Sequence, residues 1–268
     1  MFIKETIKPL YPYCNGISVI SQYDRDYYGN MIEPDNTLND VLSFPDPEGK
    51  INLVIRKFKD EAVARNHEMA ALLNEPYKSV ITHSVSMKDV LKFHQPPDYF
   101  LIVDGDEIYD IDTLPRIIDY LKWKKPRGMR INAFNYYNTW NRRVKLEDEK
   151  FCHFGFIKAG IFFKIRRIVS LNEIRLLKYF KKIGLGSLPS ILWGFIECPS
   201  EIGVFHHAAY IGGEERIKQK MKKSSHSELK DKFQEQLEKL NNKRTEYVPI
   251  DKLPINIREG NWEKHLFE

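Results

Sequence analysis

Three carboxylates lie within four residues of this chain, at Asp104, Asp106 and Glu107, with a glycine between the first two. They directly follow an apolar run at 99–103 that has the length and composition of a strand buried on both faces. Residues i and i+2 of an extended chain project to the same side, roughly 6–7 Å apart. Carboxylates so close repel one another unless a cation lies beside them, and a hard divalent ion that also binds phosphate suits such a site. The alternative is a loop that simply becomes acidic as it leaves a strand.

The elements that would position this cluster alternate along the sequence. Hydrophobic spacing, turn residues and capping signals predict strands at 17–21, 51–55, 99–103, 128–138 and 201–210, and helices at 60–73, after Thr113, at 170–183, from Glu214 and at 227–241. Strands that alternate with helices indicate an α/β protein, here a three-layer fold with a mostly parallel mixed sheet. Open sheets of this kind bind their ligands beyond the carboxyl ends of the strands, where the acidic cluster is expected.

Composition indicates a soluble enzyme rather than a disordered or membrane-embedded protein. Of the 268 residues, 29% are charged and 13% aromatic, and no apolar run approaches the roughly 18–20 residues that span a bilayer. One domain over residues 1–268 is expected, with a C-terminal helix and extended tail from about 227 packed on it. The first residues lack the pattern of a signal peptide, and three widely spaced cysteines suit a reducing compartment. A cytoplasmic protein is therefore expected.

The acidic motif resembles the Asp-X-Asp signature of nucleotide-sugar glycosyltransferases with the GT-A (Rossmann-like) fold. Residues 104–108, Asp-Gly-Asp-Glu-Ile, look like family 17, the β-1,4-N-acetylglucosaminyltransferase-like enzymes, and their family-2 relatives. Residues 207–228 resemble the segment that closes the donor site there, and residues 64–66, Ala-Arg-Asn, are similar to a family-2 element. The resemblance covers roughly residues 60–230. A Golgi member of family 17 would carry an amino-terminal anchor, so this chain looks like a bacterial or viral relative.

The resemblance implies transfer of a hexosyl or N-acetylhexosaminyl group from a nucleotide sugar, expected to be UDP-linked, to a hydroxyl of a glycan, glycolipid or other polymer. The implied cofactor is Mn²⁺, with Mg²⁺ as the usual competitor. Asp106 would bind the ion directly, and Asp104 would contact the ribose or a metal-bound water. Glu107 would lie behind them or hold the loop. His207 is the expected third ligand, whereas His206 should point to the opposite face of a regular strand.

The donor itself would be held by residues on both sides of the acidic motif. Arg65 and Asn66 match the helix that approaches the nucleotide, although Arg65 could equally clamp the acidic loop. Lys220 and His226 best match the family pattern downstream. The paired glycines at 212–213 could hinge a lid that folds over the diphosphate and excludes water.

A catalytic base is required only if the transfer inverts the anomeric centre, since a carboxylate must then deprotonate the acceptor hydroxyl. Glu197 lies about as far past the acidic motif as the family-2 base does, and it is the candidate. Glu173 competes with it, but a capping box at 170–173 already explains that residue.

The segment 158–182 carries eight lysines and arginines against one acid, interleaved with aromatic and aliphatic residues. It could meet an anionic membrane surface that presents a glycolipid, at the inner membrane face, or a nucleic acid. It could also be an ordinary helix with a wet basic face, in which case a plain sugar could stack on Tyr136, Tyr137 or Trp140. Three other functions stay open: a transferase acting on nucleic acid through a modified DNA base, a divalent-metal phosphohydrolase, and a non-catalytic binder of nucleic acid or membrane.

Overall fold

The structure is a computed structural model that describes residues 2–21, 31, 36–56, 58, 60–72, 97–145, 151–163, 194–214, 217–218 and 245–260. Helices and strands in this part of the chain are, in order, α1 Ile3–Leu10, β1 Ile17–Ser21, α2 Thr37–Leu42, β2 Ile51–Ile55, α3 Glu61–Leu72, β3 Tyr99–Leu101, β4 Glu107–Tyr109, α4 Leu114–Lys124, β5 Gly128–Val144, β6 Phe151–Lys158, β7 Phe195–Glu197, β8 Phe205–Ile211, β9 Thr245–Tyr247 and α5 Ile255–Arg258. The protein is therefore of the mixed α/β class, as the alternation of patterns predicted.

The strands form a small parallel sheet and a larger mixed one. Strands β1 and β2 pair in parallel, with Ile17 opposite Ile51. In the seven-stranded sheet, β6 lies antiparallel between β3 and β5, and β7 and β8 both run parallel to β5. Strand β4 is antiparallel to β8, and β9 is antiparallel to β5. Four of these six pairings are antiparallel, so the predicted mostly parallel sheet is wrong for the larger sheet.

The physical reason is that burial identifies a strand without fixing the direction of its neighbour. Strand β3 was predicted from its apolar run, but its partner β6, antiparallel to it, was not predicted from the sequence. Antiparallel neighbours need only a short connection, and residues 145–150 suffice to join β5 to β6. The connection from β5 to β6 therefore needs no crossover helix of the kind that joins parallel strands.

Two helices cover opposite faces of the larger sheet. Leu114 and Ile117 of α4 pack with Met129 and Phe156, whereas Ala62 of α3 packs with Ile157 and Phe195 in a separate cluster. Adjacent residues of β6 thus enter different cores, because successive side chains of a strand alternate between its faces. Among the described elements, the larger sheet therefore has a helix on each face.

Strand β5 is 17 residues long and joins both parts of the larger sheet. Its first residues, 128–133, pair with β6, residues 133–138 pair with β8, and residues 142–144 pair with β9. A register irregularity lies between Asn135 and Tyr137, and Asn138 has a left-handed φ of 62°. The part of the tail at 245–260 packs here, with Val248 and Ile257 against Trp140. Strand β5 therefore brings β8 alongside the loop that follows β3.

Several predicted elements are confirmed. The strands at 17–21 and 51–55 have the predicted bounds, and Asp60 caps α3 by accepting the Val63 N–H at 2.9 Å. Helix α4 follows Thr113 with Pro115 in its first turn. The strand predicted at 128–138 continues to Val144, and the one predicted at 201–210 begins only at Phe205. The helices predicted at 170–183 and 227–241 lie outside the described residues.

Within the described ranges, no helix combines the length and the apolar composition that crossing a membrane requires.

Candidate active site

Asp104 and Asp106 lie in the short loop between β3 and β4. The Asp104 N–H donates to Oε2 of Glu107 at 3.0 Å, and the Glu107 N–H donates to the Asp104 carbonyl at 3.0 Å. Glu107 is buried, so these reciprocal bonds shape the turn from the inside. The Thr6 hydroxyl of α1 also donates to the Gly105 carbonyl at 3.3 Å. The loop is thus held by its own third carboxylate and by α1. The Asp104 side chain is half-exposed, whereas that of Asp106 is mostly buried.

Asp106 and His207 face each other across the pairing of β4 with β8. Residues 107 and 207 are register partners, and the Ala208 N–H donates to the Asp106 carbonyl at 2.9 Å. The Asp106 Oδ1 atom lies 3.7 Å from Nε2 of His207, and their side chains are 17% and 11% exposed. The two side chains therefore meet at a mostly buried position that solvent still reaches.

Asn135 of β5 fixes the orientation of the His207 ring. Its Oδ1 atom lies 2.7 Å from Nδ1 of His207, and Asn135 is buried. An amide oxygen only accepts hydrogen bonds, so Nδ1 carries the proton in the neutral ring and Nε2 presents its lone pair toward Asp106. Sequence analysis did not identify Asn135. The only signal in the sequence was that this polar residue lies within a predicted strand.

The pair fits the chemistry of a divalent metal ion. Two oxygen or nitrogen ligands with bonds near 2.0–2.2 Å to one ion lie roughly 3–4 Å from one another, and the 3.7 Å between Asp106 and His207 is in that range. A metal-binding histidine commonly donates its second ring N–H to a carbonyl oxygen, as His207 does to Asn135. No group of three or more His, Cys, Asp or Glu side chains suited to a metal occurs among the described residues. Beyond what the described residues supply, water or a bound phosphate would complete the coordination of the ion.

Arg65 clamps Asp104. Its Nη2 atom lies 2.8 Å from Oδ1 of Asp104, and its Nη1 atom lies 2.9 Å from Oε2 of Glu61, one turn earlier on α3. The Arg65 side chain is mostly buried, whereas that of Asp104 is 47% exposed. This is the clamping role that sequence analysis left open beside direct contact with the donor. A phosphate arriving at the loop would meet a guanidinium that already has two carboxylate partners.

Asn66 is engaged with the end of β6 rather than with the loop. Its Nδ2 donates to the Phe163 carbonyl at 2.7 Å, and its Oδ1 accepts the Phe163 N–H at 2.8 Å. The residue is buried. A nucleotide could contact this buried amide only through hydrogen-bonding capacity beyond these two bonds or by displacing them.

Glu197, the predicted base, ends β7 with an exposed side chain. Its Oε1 atom accepts from Nδ2 of Asn132 at 3.0 Å, and the same amide nitrogen lies 3.2 Å from the Ser200 hydroxyl. Asn132 is buried in β5 and orients the Glu197 carboxylate through this hydrogen bond. The carboxylate is therefore oriented by the sheet while still accessible to solvent.

The sheet separates Glu197 from His207. Glu197 pairs with Arg130 and His207 with Asn135, so the two lie five residues apart along β5, roughly 16 Å. An odd separation also turns their side chains to opposite faces of a regular strand. Glu197 shares its face with α3, the helix that supplies Arg65. The structure brings Asp106 and His207 together, and Arg65 and Asp104 together, and places Glu197 roughly 16 Å along β5 from the first pair.

His206 packs in the core, on the face opposite His207. Its Nδ1 atom lies 2.7 Å from the Tyr136 hydroxyl, and the two rings stack with centroids 5.6 Å apart. Burial, together with the Arg143 guanidinium, lowers the pKa of His206 to about 3, so this ring is neutral. Tyr136 and Trp140 are also fully buried, so they cannot stack on an acceptor sugar as the sequence suggested; Tyr137 is half-buried.

Other predicted site residues lie outside the described residues, namely Lys220, His226 and all of the basic segment beyond residue 163. The glycine pair of the predicted hinge is described. Gly212 and Gly213 have φ angles of 91° and 80°, which residues with a side chain rarely adopt. The pair therefore makes a turn directly after β8.

Comparison of the sequence with models of known protein families gives no match, and comparison with curated proteins gives none either.

Proposed function

We propose that this protein is a metal-dependent glycosyltransferase of the GT-A type. The donor would be a nucleotide sugar, UDP-linked, and the acceptor a hydroxyl of a glycan, glycolipid or other polymer. The observation that carries the proposal is the meeting of Asp106 with His207, 3.7 Å apart, in a loop that also presents Asp104. Two lone-pair donors facing each other at that distance, with the histidine tautomer set by Asn135, suit a divalent cation.

The arrangement of the sheet supports the GT-A proposal. Strands β3, β5 and β7 run in the same direction, because β6 is antiparallel to both β3 and β5, and β7 is parallel to β5. The candidate loop follows the carboxyl end of β3, where open α/β sheets place their ligands. Helices α3 and α4 cover opposite faces.

Each side chain then has a separate task. Asp106 and His207 would hold Mn²⁺, which when bound neutralises charge on the donor diphosphate. Asp104, held by Arg65, would orient the ribose or a metal-bound water. Lys220 and His226 would contact the phosphates from the segment after the glycine turn. The loop is held by Glu107 before any ligand arrives, so little of the site needs to be ordered on binding.

Glu197 is our candidate for the base of an inverting transfer. The acceptor oxygen would bond to the anomeric carbon as the bond from that carbon to the diphosphate oxygen breaks. The hydroxyl proton would pass to the Glu197 carboxylate, which Asn132 already orients at 3.0 Å. Because Glu197 lies roughly 16 Å from His207 along β5 and on the opposite face of the sheet, it could take this proton only if the donor sugar extended from the Asp106–His207 pair around the edge of the sheet to the α3 side, where the acceptor would lie.

Thermal unfolding with nucleoside diphosphates and nucleotide sugars, with and without Mn²⁺, tests the proposal. UDP or a UDP-sugar at a hundredfold excess over Kd should raise Tm by about 5 °C in Mn²⁺, since such binding contributes about 2.7 kcal/mol. Asp106→Asn and His207→Ala should lose the Mn²⁺-dependent part of the shift. The matched control is Asp112→Asn, which removes an exposed acid six residues downstream and should keep the full shift. Glu197→Gln should bind the donor normally while transfer falls about 10²–10⁴-fold.

Two outcomes would contradict the proposal. One is an unchanged Tm across the whole nucleotide panel in Mn²⁺ and Mg²⁺. The other is a metal-dependent shift that survives in both Asp106→Asn and His207→Ala, because the ion would then be bound elsewhere. Normal transfer by Glu197→Gln would reject only the base and leave the metal site standing.

A further inference from the structure

A basic and aromatic surface lies at the end of the larger sheet away from the candidate site. It consists of the last turn of α4, the turn into β5 and the last residue of β6. We call it the amino-edge patch and define it by Lys122, Trp123, Lys124, Lys125, Arg127 and Lys158. All six residues are exposed. Lys158 is joined to the others through its N–H, which donates to the Arg127 carbonyl at 3.0 Å.

Trp123 is the most exposed large apolar side chain among the described residues, at 70%. The Lys124 ammonium lies 3.6 Å from the centroid of its ring, and the Tyr120 ring meets it edge to face at 5.8 Å. A nucleobase or a sugar that stacks on tryptophan needs a free ring face, and the lysine covers one of them. An indole that enters a lipid interface by its edge needs no free face, and lysines beside it reach the headgroups.

The charges of the patch favour an anionic partner. Lys122, Lys124 and Lys125 flank Trp123 at the end of α4, whereas the Arg127 guanidinium lies over the Phe195 ring, 6.0 Å from its centroid. The acids close to the patch are Asp98, just before β3, Asp119, one turn before Trp123, and Glu201, which acts on Tyr120. Lys125 adopts a left-handed φ of 47° as the C-cap of α4, which ends the helix and leaves its neighbouring lysines around the indole. An exposed tryptophan flanked by lysines is the composition of a surface that binds anionic lipid headgroups.

We propose that the amino-edge patch docks this protein on an anionic lipid surface. Trp123 enters the headgroup region, and the lysines beside it, together with Arg127 at the edge of the patch, pair with lipid phosphates and carboxylates. This inference does not depend on the proposed glycosyltransferase activity. It also differs from the predicted basic segment, of which only Lys158 belongs to the patch.

Docking in this way would orient the whole molecule. The patch adjoins Gly128, where β5 begins, and the Asp104 loop follows the opposite, carboxyl end of the parallel strand β3. The candidate site would therefore face away from the bilayer, and its acceptor would come from the aqueous side.

Vesicle binding of the full chain tests the proposal. Vesicles of phosphatidylcholine with about 30% phosphatidylserine should sediment the protein, whereas pure phosphatidylcholine should not. Trp123 emission should shift to the blue on binding, and Trp123→Phe should abolish that shift. The triple variant Lys122→Gln, Lys124→Gln, Lys125→Gln should bind about a hundredfold more weakly, at about fivefold for each charge. A matched variant, Lys8→Gln, Lys252→Gln, Arg258→Gln, removes the same charge from other exposed positions and should bind normally.

The proposal fails if the two triple variants lose vesicle binding equally, since net charge rather than the patch would then be responsible. It also fails if wild-type protein does not sediment with the anionic vesicles. Tighter binding to a single-stranded oligonucleotide than to vesicles at the same salt, lost in the Lys122, Lys124 and Lys125 variant, would assign the patch to nucleic acid instead.

Discussion

Two adjacent histidines in β8 have different environments because successive residues of a strand face opposite sides. His206 stacks on Tyr136 and is kept neutral by burial. His207, one residue later, has one nitrogen on Asn135 and the other toward Asp106. The two histidines could therefore not be told apart by residue type, but they could by the alternation of side chains along a strand.

Asn135 should control metal affinity although it would not touch the ion. Asn135→Ala removes the acceptor that keeps the proton on Nδ1 of His207, so metal affinity should fall about 10–100-fold. Asn135→Asp keeps an acceptor at this position and should restore most of the affinity. Titration of Mn²⁺ in the presence of UDP, followed by Tm, measures the effect.

The control for that experiment is Asn256→Ala. Asn256 of α5 is equally buried. Its side chain donates to the carbonyl of Tyr109 in β4, a strand of the sheet that contains Asn135, at 2.9 Å. Its loss should lower stability by about 1–3 kcal/mol without changing the Mn²⁺ dependence. If both variants changed Mn²⁺ affinity equally, Asn135 would be a structural residue only.

At the scale of elements, α3 connects two parts of the molecule with neighbouring side chains. Arg65 holds the Asp104 loop, and Asn66 holds Phe163, just after β6. The resemblance to a nucleotide-binding element placed both residues near the donor, with clamping of the acidic loop as the equal alternative for Arg65. In the structure both are engaged with the protein itself.

Asn66→Ala should therefore act on stability and not on the nucleotide. It leaves a buried N–H and carbonyl of Phe163 without their present partners, which costs about 2–4 kcal/mol. Urea unfolding measures the loss, and calorimetric titration with UDP should give an unchanged Kd. Asn39→Ala, at an exposed position of α2, is the control and should change stability by less than about 0.5 kcal/mol. A tenfold weaker Kd with unaltered stability would instead place Asn66 on the nucleotide.

The elements that the sequence predicted well are those with strong local signals. The strands at 17–21 and 51–55, the Asp60 cap and helix α4 were predicted because apolar period and capping chemistry are local properties. Strands β4, β7 and β9 have three residues each, too few to show a period. Strand β6 is longer, but its direction depends on a partner distant in sequence. The meeting of Asp106 with His207 was expected from resemblance, whereas Asn135 depends on pairing register that no local pattern encodes.

At the scale of the whole molecule, α1 connects the two sheets, and sequence analysis did not predict it. Ile3 and Ile7 pack with Val19 of the small sheet, Leu10 packs in the core beneath α4, and Phe2 packs with Trp140. The first 55 residues match the family only vaguely, so the resemblance did not mark them as part of the core. Their contacts explain how a two-stranded sheet is attached to a seven-stranded one.

The length of β5 has a consequence for how the protein unfolds. Its residues hydrogen-bond with β6, β7, β8 and β9, so none of these pairings can open without exposing part of the same central strand. Local opening in this sheet is therefore costly, and its strands should unfold as one cooperative unit. Among the described strands, the β1–β2 pair shares none with that unit and should open separately.

Native-state amide hydrogen exchange would reveal this division. Amides of residues 129–135 should exchange only through global unfolding, with a denaturant dependence equal to that of the whole protein. Amides of β1 and β2 should exchange through a smaller opening with a weaker dependence. Equal exchange free energies and denaturant dependence in both sheets would mean that α1 couples them into a single unit. If the two sheets open separately, β5, which pairs with the His207 strand β8, would keep the candidate site folded while the β1–β2 sheet opens.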